Sequence, residues 1–354
     1  MKGSKGKFVI FTVYFLGTIF FGKLDNKFNS TEGLGFIANP LLVNLHVSMS
    51  GYDIIGDIHG YASLLKQLLT EMGYKRVDGI WRHPTRTAVF VGDFINRGPE
   101  IRETLLLVRA MVESGNALAI LGNHEYSCIL YHIKDDNGTF MSRHIAGNRT
   151  QIQKTLTVYK SFDEEWQGHL KWMRTLPFFL DLGEIRVAHA YWNDVEIAKL
   201  KEYLPKGRLK KKFIREMHEK RPDMAGIVYK LLKGLEFKSP KDLIIKCSKG
   251  LSRKVFTLNW WTNPDNKTFR QLYFGNKFIL PDYHFPIELA PAFEPYPTDK
   301  PIVFFGHYCL AGGAEIVQEN ICCVDSCVDT TGKLSAYRWS GEKQLIPENI
   351  VVVG

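Results

Sequence analysis

Apolar positions along this chain recur with two periods, and each change of period marks an element. Tyr52–Ile55 is a short apolar run stopped by Gly56, the length of a buried strand. Leu64, Leu65, Leu68, Leu69 and Met72 then fall on one face at helical spacing, which predicts a helix over 62–72. Ala88–Val91 is a second strand. Pro99 to Glu113 is a second helix, with its Pro near the first turn, where a missing N–H does no harm. Ala117–Leu121 is a third strand. The succession is β-α-β-α-β, which predicts a parallel sheet covered by helices, an α/β fold.

The pattern is looser beyond that point. Residues 134–149 are polar and loop-like, and helices are predicted over about 150–160 and 163–175. Glu184–His189 reads as a strand, and a β-like stretch runs through Trp260 and Trp261. A Pro-rich loop spans Pro281 to Pro301. Ile302–Phe305, Ile321–Val324 and Leu334–Arg338 read as the closing strands. The main domain is read as 49–354, because Met49 opens the regular pattern.

Residues 1–48 follow a different pattern. Lys2, Lys5 and Lys7 precede an apolar run from Phe8 to Gly22, and Lys23 closes it. That run suits a signal-peptide core and is short for a membrane span, which needs about 20 residues. Residues 1–48 are read as an extension from an upstream start codon. A signal or anchor and an ordinary N-terminal element are the alternatives, and residues 8–22 are the one route to a membrane.

Composition bounds the class. With 354 residues, 45% of them hydrophobic and 23% charged, the chain can bury a core without disulfide staples. Its six Cys are too sparse for a secreted disulfide framework, so a reducing, cytoplasmic setting is expected. The net charge of +9 is uneven: residues 201–254 hold 17 Lys and Arg against 6 Asp and Glu, a net of +11. The remainder is nearly neutral. A charge run is usually a solvated helix face. Its sharper reading is a rim that attracts a phosphate-bearing substrate, with no nucleic acid required.

The candidate chemistry sits where the first three strands end. These ends read Gly56-Asp57-Ile58-His59-Gly60, Gly92-Asp93 with Asn96-Arg97-Gly98, and Gly122-Asn123-His124-Glu125. Asp57 and Asp93 are 36 residues apart, Asp93 and Asn123 30 apart, each one strand-helix-strand repeat. A parallel sheet therefore brings all three to one carboxyl edge, where open α/β sheets bind ligands. Two carboxylates, imidazoles and a carboxamide without a thiolate suit Mn²⁺, Fe or Zn²⁺. A cation also explains how two carboxylates can share one edge. Each Gly before a polar residue suits close backbone approach.

GDIHG, GDFINRG and GNHE in this order resemble the calcineurin-like metallophosphoesterases, and within them the phosphoprotein phosphatase (PPP) family and its bacterial relatives, including symmetrical diadenosine tetraphosphatases. RVAHA with His189, FFGH with His307 and VDSCVDTTGKLSAYRW extend the likeness over about 52–340. The resemblance implies a β-sandwich flanked by helices (αββα) around the β-α-β-α-β core, with a basic insert at about 196–298. It implies a metal-dependent phosphoric ester hydrolase with two divalent ions, Mn²⁺ foremost. Asp57, His59 and Asp93 would hold one ion; Asp93, Asn123, His189 and His307 the other. A hydroxide bridging the ions would attack the phosphorus. Arg97 would grip the phosphoryl oxygens, and His124 would protonate the leaving oxygen.

Several residues have blander readings. His189 and His307 taken alone are core histidines at strand ends. Glu125 reads as structural, accepting backbone hydrogen bonds in a first helical turn. Cys322, Cys323 and Cys327 read as small hydrophobes rather than zinc ligands. Trp260 and Trp261 fit a core or a base-stacking role equally.

One position departs from the resembling family, which has Asp-Arg-Gly where this chain has Asn96-Arg97-Gly98. Asn96 lacks the charge that would support a cationic His124, so a slower enzyme, or a substrate whose leaving group needs little protonation, is expected. A second phosphate-gripping Arg is not identified; Arg253 and Arg270 are candidates. The leading function is hydrolysis of phosphate monoesters, including phosphoproteins. Dinucleoside polyphosphate hydrolysis is the alternative. A phosphate-binding regulatory module is the reading from another class, supported by Asn96 alone.

Overall fold

The computed structural model describes residues 51–354, except 143, 145, 205–208, 239–244, 248–251, 254, 274–277, 281, 283, 287, 289–292 and 311. The N-terminal expectations for residues 1–48 and 8–22 lie outside the described residues. Among the described residues, no helix is long and apolar enough to cross a membrane.

Two five-stranded sheets carry the fold. In the first, Gly51–Ile55, Arg86–Phe90 and Ala117–Ala119 run parallel, as predicted. Leu334–Trp339 adds antiparallel to Gly51–Ile55, and Ile350–Val353 adds beyond it. In the second, Ile185–Ala188, Ile302–Phe305 and Ile321–Cys323 run parallel, with antiparallel strands Phe179–Asp181 and Glu315–Gln318 at the two edges.

Alternation along each strand makes the layers. Ile54, Val89 and Val91 of the first sheet meet Val187, Ile302 and Phe304 of the second in one buried cluster. Their neighbours Ile55, Phe90, Val303 and Phe305 point the other way, into the helix-covered cores. The period of two thus gives each sheet two buried faces. Helix α1 (Ala62–Glu71) and α2 (Ile101–Glu113) cover the first sheet, burying Leu65, Leu68 and Leu69 and Leu105, Val108 and Met111. This is the expected αββα sandwich.

The remaining helices are α3 (Asn123–Tyr131), α4 (Ala146–Tyr159), α5 (Asp163–Met173), α6 (Asp194–Tyr203), α7 (Lys211–Lys220) and α8 (Pro222–Lys233). α4 begins inside the stretch expected to be loop, because its sequence gives no apolar stripe to mark the start. α7 buries Ile214 and Met217 while Lys211, Lys212 and Lys220 are exposed. The solvated-face reading holds for that helix. Trp260 and Trp261 are buried, and Trp260 Nε1 donates to the Ala190 carbonyl at 2.9 Å, so both belong to the core.

Strand register aligns the carboxyl ends. Ile55 pairs with Phe90, and Phe90 with Ala119. Asp57, Asp93 and Asn123 therefore follow within a few residues of one edge. In the second sheet Phe304 pairs with Val187 and Phe305 with Cys323, bringing His189, His307 and Asp325 to the same edge.

The other end of the first sheet is held by Asp53, which sequence reasoning missed. Its carboxylate accepts from Arg86 Nε (2.9 Å), Arg338 Nε (3.1 Å) and the Tyr74 hydroxyl (2.9 Å), and it is wholly buried. Arg86 also donates to the Tyr52 and Trp339 carbonyls. One ion cluster thus ties three adjacent strands. Asp53→Ala leaves the buried Arg86 guanidinium without its carboxylate and should destabilise the fold by about 3–5 kcal/mol. Urea unfolding measures this; a loss under about 1 kcal/mol would mean that the cluster contributes little.

Candidate metal centre

Asp93 lies at the middle of the site, 1% exposed. Its Oδ2 is 3.6 Å from His59 Nε2, 3.5 Å from His189 Nε2 and 3.9 Å from His124 Nε2. Its Oδ1 accepts from the His124 backbone N–H (2.9 Å) at the start of α3. Two groups of ligand atoms share it: His59, Asp93 and His124, and Asp93, His189 and His307. Within each group the atoms lie within 4.8 Å of one another. Asn123 Oδ1 joins the second group, 3.0 Å from His189 Nε2 and 2.8 Å from His307 Nδ1. All six residues expected as metal ligands are thus at this edge. His124, expected to act on the leaving group, completes the first compact group, and Asp57 stands just outside it.

The ring orientations fit a cation. His59 Nδ1 faces the Ile95 carbonyl at 3.1 Å, and His189 Nδ1 faces the Val91 carbonyl at 2.8 Å. A carbonyl can only accept, so each Nδ1 donates and each Nε2 turns to the site. This arrangement is typical of metal-binding histidine. Asp57 Oδ2 accepts from the His307 N–H (3.1 Å), while Oδ1 is buried without a hydrogen-bond partner. A buried carboxylate oxygen with no donor is a vacant ligand for a cation.

Electrostatics agrees. Burial raises Asp57 well above the usual carboxylate range, and the nearby Asp325 carboxylate adds to it. Burial would raise Asp93 too, but His189, His124 and His59 hold it well below that range. Burial works to lower His189, yet the Asp93 and Asp57 carboxylates raise it to about 10. Burial lowers His59 to about 3 and His124 to about 4, against the pull of Asp93. The raised His189 reflects the pull of two buried carboxylates on positive charge at this spot, and the oxygen and nitrogen donors fit hard-to-borderline cations.

The backbone is shaped for this approach. A Cβ on Gly122 would stand 2.1 Å from Asp93 Oδ1, and one on Gly306 would stand 2.1 Å from Asp57 Oδ1. His59, Asp93, Asn96, Arg97 and His307 all take left-handed φ between 46° and 70°. Such conformations cost energy in L-residues and gather at functional sites.

Arg97 and His124 open onto a cavity of about 670 Å³, also lined by Asn123 and His307. Arg97 Nη1 donates to Asp329 Oδ1 at 3.0 Å, and Nη2 lies 3.4 Å from His124 Nε2. Asn96 Nδ2 lies 2.6 Å from His124 Nδ1.

The family model for calcineurin-like phosphoesterases matches residues 52–311. The chain belongs to the calcineurin-like phosphoesterase family. An asymmetrical bis(5'-nucleosyl)-tetraphosphatase from Oceanobacillus iheyensis is 34% identical over 146 residues, 39% of this chain and 55% of that protein. The chain therefore spans about half the length of the asymmetrical relatives it matches. A symmetrical bis(5'-nucleosyl)-tetraphosphatase from Vibrio vulnificus is 26% identical over 85% of this chain and 98% of that protein. A protein serine/threonine phosphatase from Saccharomyces cerevisiae superposes with TM-score 0.47 at 16% identity, over 86% of this chain and 79% of that one.

Within this calcineurin-like phosphoesterase, residues of the 196–298 stretch wall the cavity: Lys233 at the end of α8, Glu236, Phe256 and Tyr273 line it. Lys154 of α4 joins them, and donates to the Arg97 carbonyl. Of the two Arg candidates from sequence, Arg270 is exposed and absent from the lining; the Arg253 side chain lies outside the described residues. Sequence reasoning also missed Asp325 and Asp329. Asp325 accepts from the Cys309 and Cys327 backbone N–H groups at 2.7 and 2.8 Å. Cys322 and Cys323 are buried thiols, as expected, but Cys327 is joined to Cys309 in a disulfide. Its partner is 18 residues away in sequence, and no spacing motif announces the pair.

Glu125 has the structural place expected of it. Its carboxylate accepts from the backbone N–H groups of Asp93 (2.7 Å), Phe94 (2.8 Å), Ile95 (3.2 Å) and Gly122 (3.1 Å). It thereby fixes both loops that present Asp93 and Asn123. Glu125→Ala strands these buried donors at about 1–3 kcal/mol each. It should also weaken Mn²⁺ binding roughly 10–100-fold, as loss of a supporting group around a metal does. Calorimetric titration measures the affinity; an unchanged value would show that the Asp93 loop holds itself.

Proposed function

We propose that the protein is a two-metal phosphoesterase whose preferred substrates carry several phosphates, of the dinucleoside polyphosphate class. The observation that carries the substrate reading is the cavity wall. Lys154 and Lys233 stand with Arg97 around the ligand cluster, three cations where one phosphoryl group needs fewer. The Lys233 charge also contributes to lowering His124 and His307, which places it within electrostatic range of the cluster. Tyr273, half-buried in the wall, offers aromatic surface for a base. The name of the relative matched over 98% of its length, a symmetrical bis(5'-nucleosyl)-tetraphosphatase, supports the same class.

Asp57, His59 and Asp93 would hold one divalent ion, and Asp93, Asn123, His189 and His307 the second, with Mn²⁺ the first choice. When bound, such ions activate water and neutralise phosphoryl oxygens. The chain's own groups do the rest. Arg97, braced by Asp329, presents its free guanidinium edge to the reacting phosphoryl group, whose geometry a guanidinium matches. Lys154 and Lys233 hold the further phosphates. His124 Nε2 faces the leaving oxygen. Hydrolysis of simple phosphate monoesters uses the same residues and leaves the two lysines without a phosphate to hold.

With Mn²⁺ present, diadenosine tetraphosphate should be cleaved with higher kcat/KM than p-nitrophenyl phosphate or a phosphoserine peptide. Asp93→Asn should abolish turnover of all three. Lys233→Ala should raise KM for the tetraphosphate about tenfold, the loss of one charge-assisted contact, and leave p-nitrophenyl phosphate within about twofold. A preference for the phosphopeptide, with the tetraphosphate uncut, would reverse the substrate assignment. Metal binding with no turnover of any substrate would favour the phosphate-binding module.

A further inference from the structure

Hydrogen bonds around Asn96 have a fixed polarity. The Asn96 backbone N–H donates to the Thr155 hydroxyl oxygen at 3.2 Å. The hydroxyl's own hydrogen goes to Asn96 Oδ1 at 2.6 Å. Both residues are buried, Thr155 fully. With the amide turned the other way, Oδ1 would leave Thr155 and two N–H groups would converge on the hydroxyl. Its hydrogen would then be buried without an acceptor, at a cost of about 1–3 kcal/mol. Thr155 therefore sets which end of the amide meets the imidazole, and that end is Nδ2, 2.6 Å from His124 Nδ1. An amide nitrogen has only hydrogens to offer, so Nδ1 accepts. The competing contact, Arg97 Nη2 to His124 Nε2, is longer at 3.4 Å against 2.6 Å, so the shorter Asn96 contact decides the tautomer.

We infer that Thr155 is a positioning residue: through Asn96 it locks His124 as the Nε2–H tautomer, which selects substrates whose leaving group departs as an anion. An Nδ1–H would face Asn96 Nδ2–H donor to donor, so the geometry disfavours a proton at Nδ1 and leaves the ring's proton at Nε2. His124 then donates a hydrogen bond to the leaving oxygen without surrendering the proton. In the balanced step, the bond from phosphorus to the bridging oxygen breaks and its electron pair leaves on that oxygen. Water supplies the replacing oxygen and loses one proton to solvent. A phosphate leaving group, with a pKa of ~6, departs in this way, whereas an alkoxide does not. The inference rests on the phosphoesterase reading above and adds the reason an anhydride suits this site better than a serine phosphate.

The test labels the histidines of the full chain with ¹⁵N and loads it with Mg²⁺, which is diamagnetic. The wild-type His124 signals should show a bare Nδ1 and a protonated Nε2. Thr155→Val frees the amide to turn and should mix the tautomers, while Thr155→Ser keeps the hydroxyl and the wild-type pattern. In parallel, the ratio of kcat on p-nitrophenyl phosphate to kcat on phenyl phosphate reads the leaving-group demand. It should narrow about tenfold in Thr155→Val, a modest general-acid contribution, and stay within about twofold in Thr155→Ser. Asn96→Asp should narrow it as well. A wild-type ring protonated at Nδ1 overturns the inference, and that spectrum needs no variant to fold. An unchanged tautomer and ratio in a folded Thr155→Val overturn it too. A locked Nε2–H ring with a Thr155-dependent ratio, but no cleavage of diadenosine tetraphosphate, supports the lock and fails the substrate assignment alone.

Discussion

The structure depends on one buried carboxylate. Asp93 is almost without solvent, so its charge must be met by the protein or by something the protein binds. His59, His124 and His189 point nitrogens at it, the α3 N-terminus donates a backbone N–H to it, and Glu125 ties down the loop that carries it. Gly122 has no side chain because Asp93 occupies the space where one would be. Each feature is costly alone. Glu125 is met by four backbone N–H groups, whereas the adjacent buried carboxylates of Asp57 and Asp93 call for positive charge between them.

The sandwich supplies the second half of that requirement. One sheet alone would deliver Asp57, Asp93 and Asn123, a donor set open on one side. The second sheet brings its parallel carboxyl ends to the same edge, so His189 and His307 close the set from across the sandwich. Asp53 anchors the opposite end of the first sheet with two arginines and a tyrosine. The two aspartates of the first strand thus divide the labour. Asp53 has every oxygen satisfied and holds strands together, whereas Asp57 has one oxygen left open.

Much of this was legible because the code is local. Strand, Gly, polar residue, helix repeats three times, and the 36- and 30-residue spacings force the three polar residues to one edge. The apolar stripes of α1 and α2 mark themselves for the same reason. What escaped lies in contacts between distant segments. Nothing local distinguishes Asp53 from an ordinary strand residue, since its partners Arg86 and Arg338 are 33 and 285 residues away. The Cys309–Cys327 pair and the Arg97–Asp329 bridge depend on where the closing strands land. Lys233 was hidden among 17 basic residues, and composition cannot say which of them turns inward.

That last point reshapes the meaning of the charge. The segment 201–254 carries a net +11, yet the lysines of α7 face solvent and Lys233 is the basic residue of that segment, among the described ones, in the cavity lining. A solvated basic face at ordinary ionic strength acts over about 8 Å, enough to draw an anion but not to choose between anions. Choice falls to the few groups at the cluster. There Asn96 sets an amide dipole, not a charge, beside His124, and the Thr155 hydroxyl holds the other end of that amide. A donor aimed at Nδ1 and a carboxylate aimed at Nδ1 ask opposite things of the ring. Under the proposed tautomer lock, the group at that position sets whether the site favours esters or anhydrides.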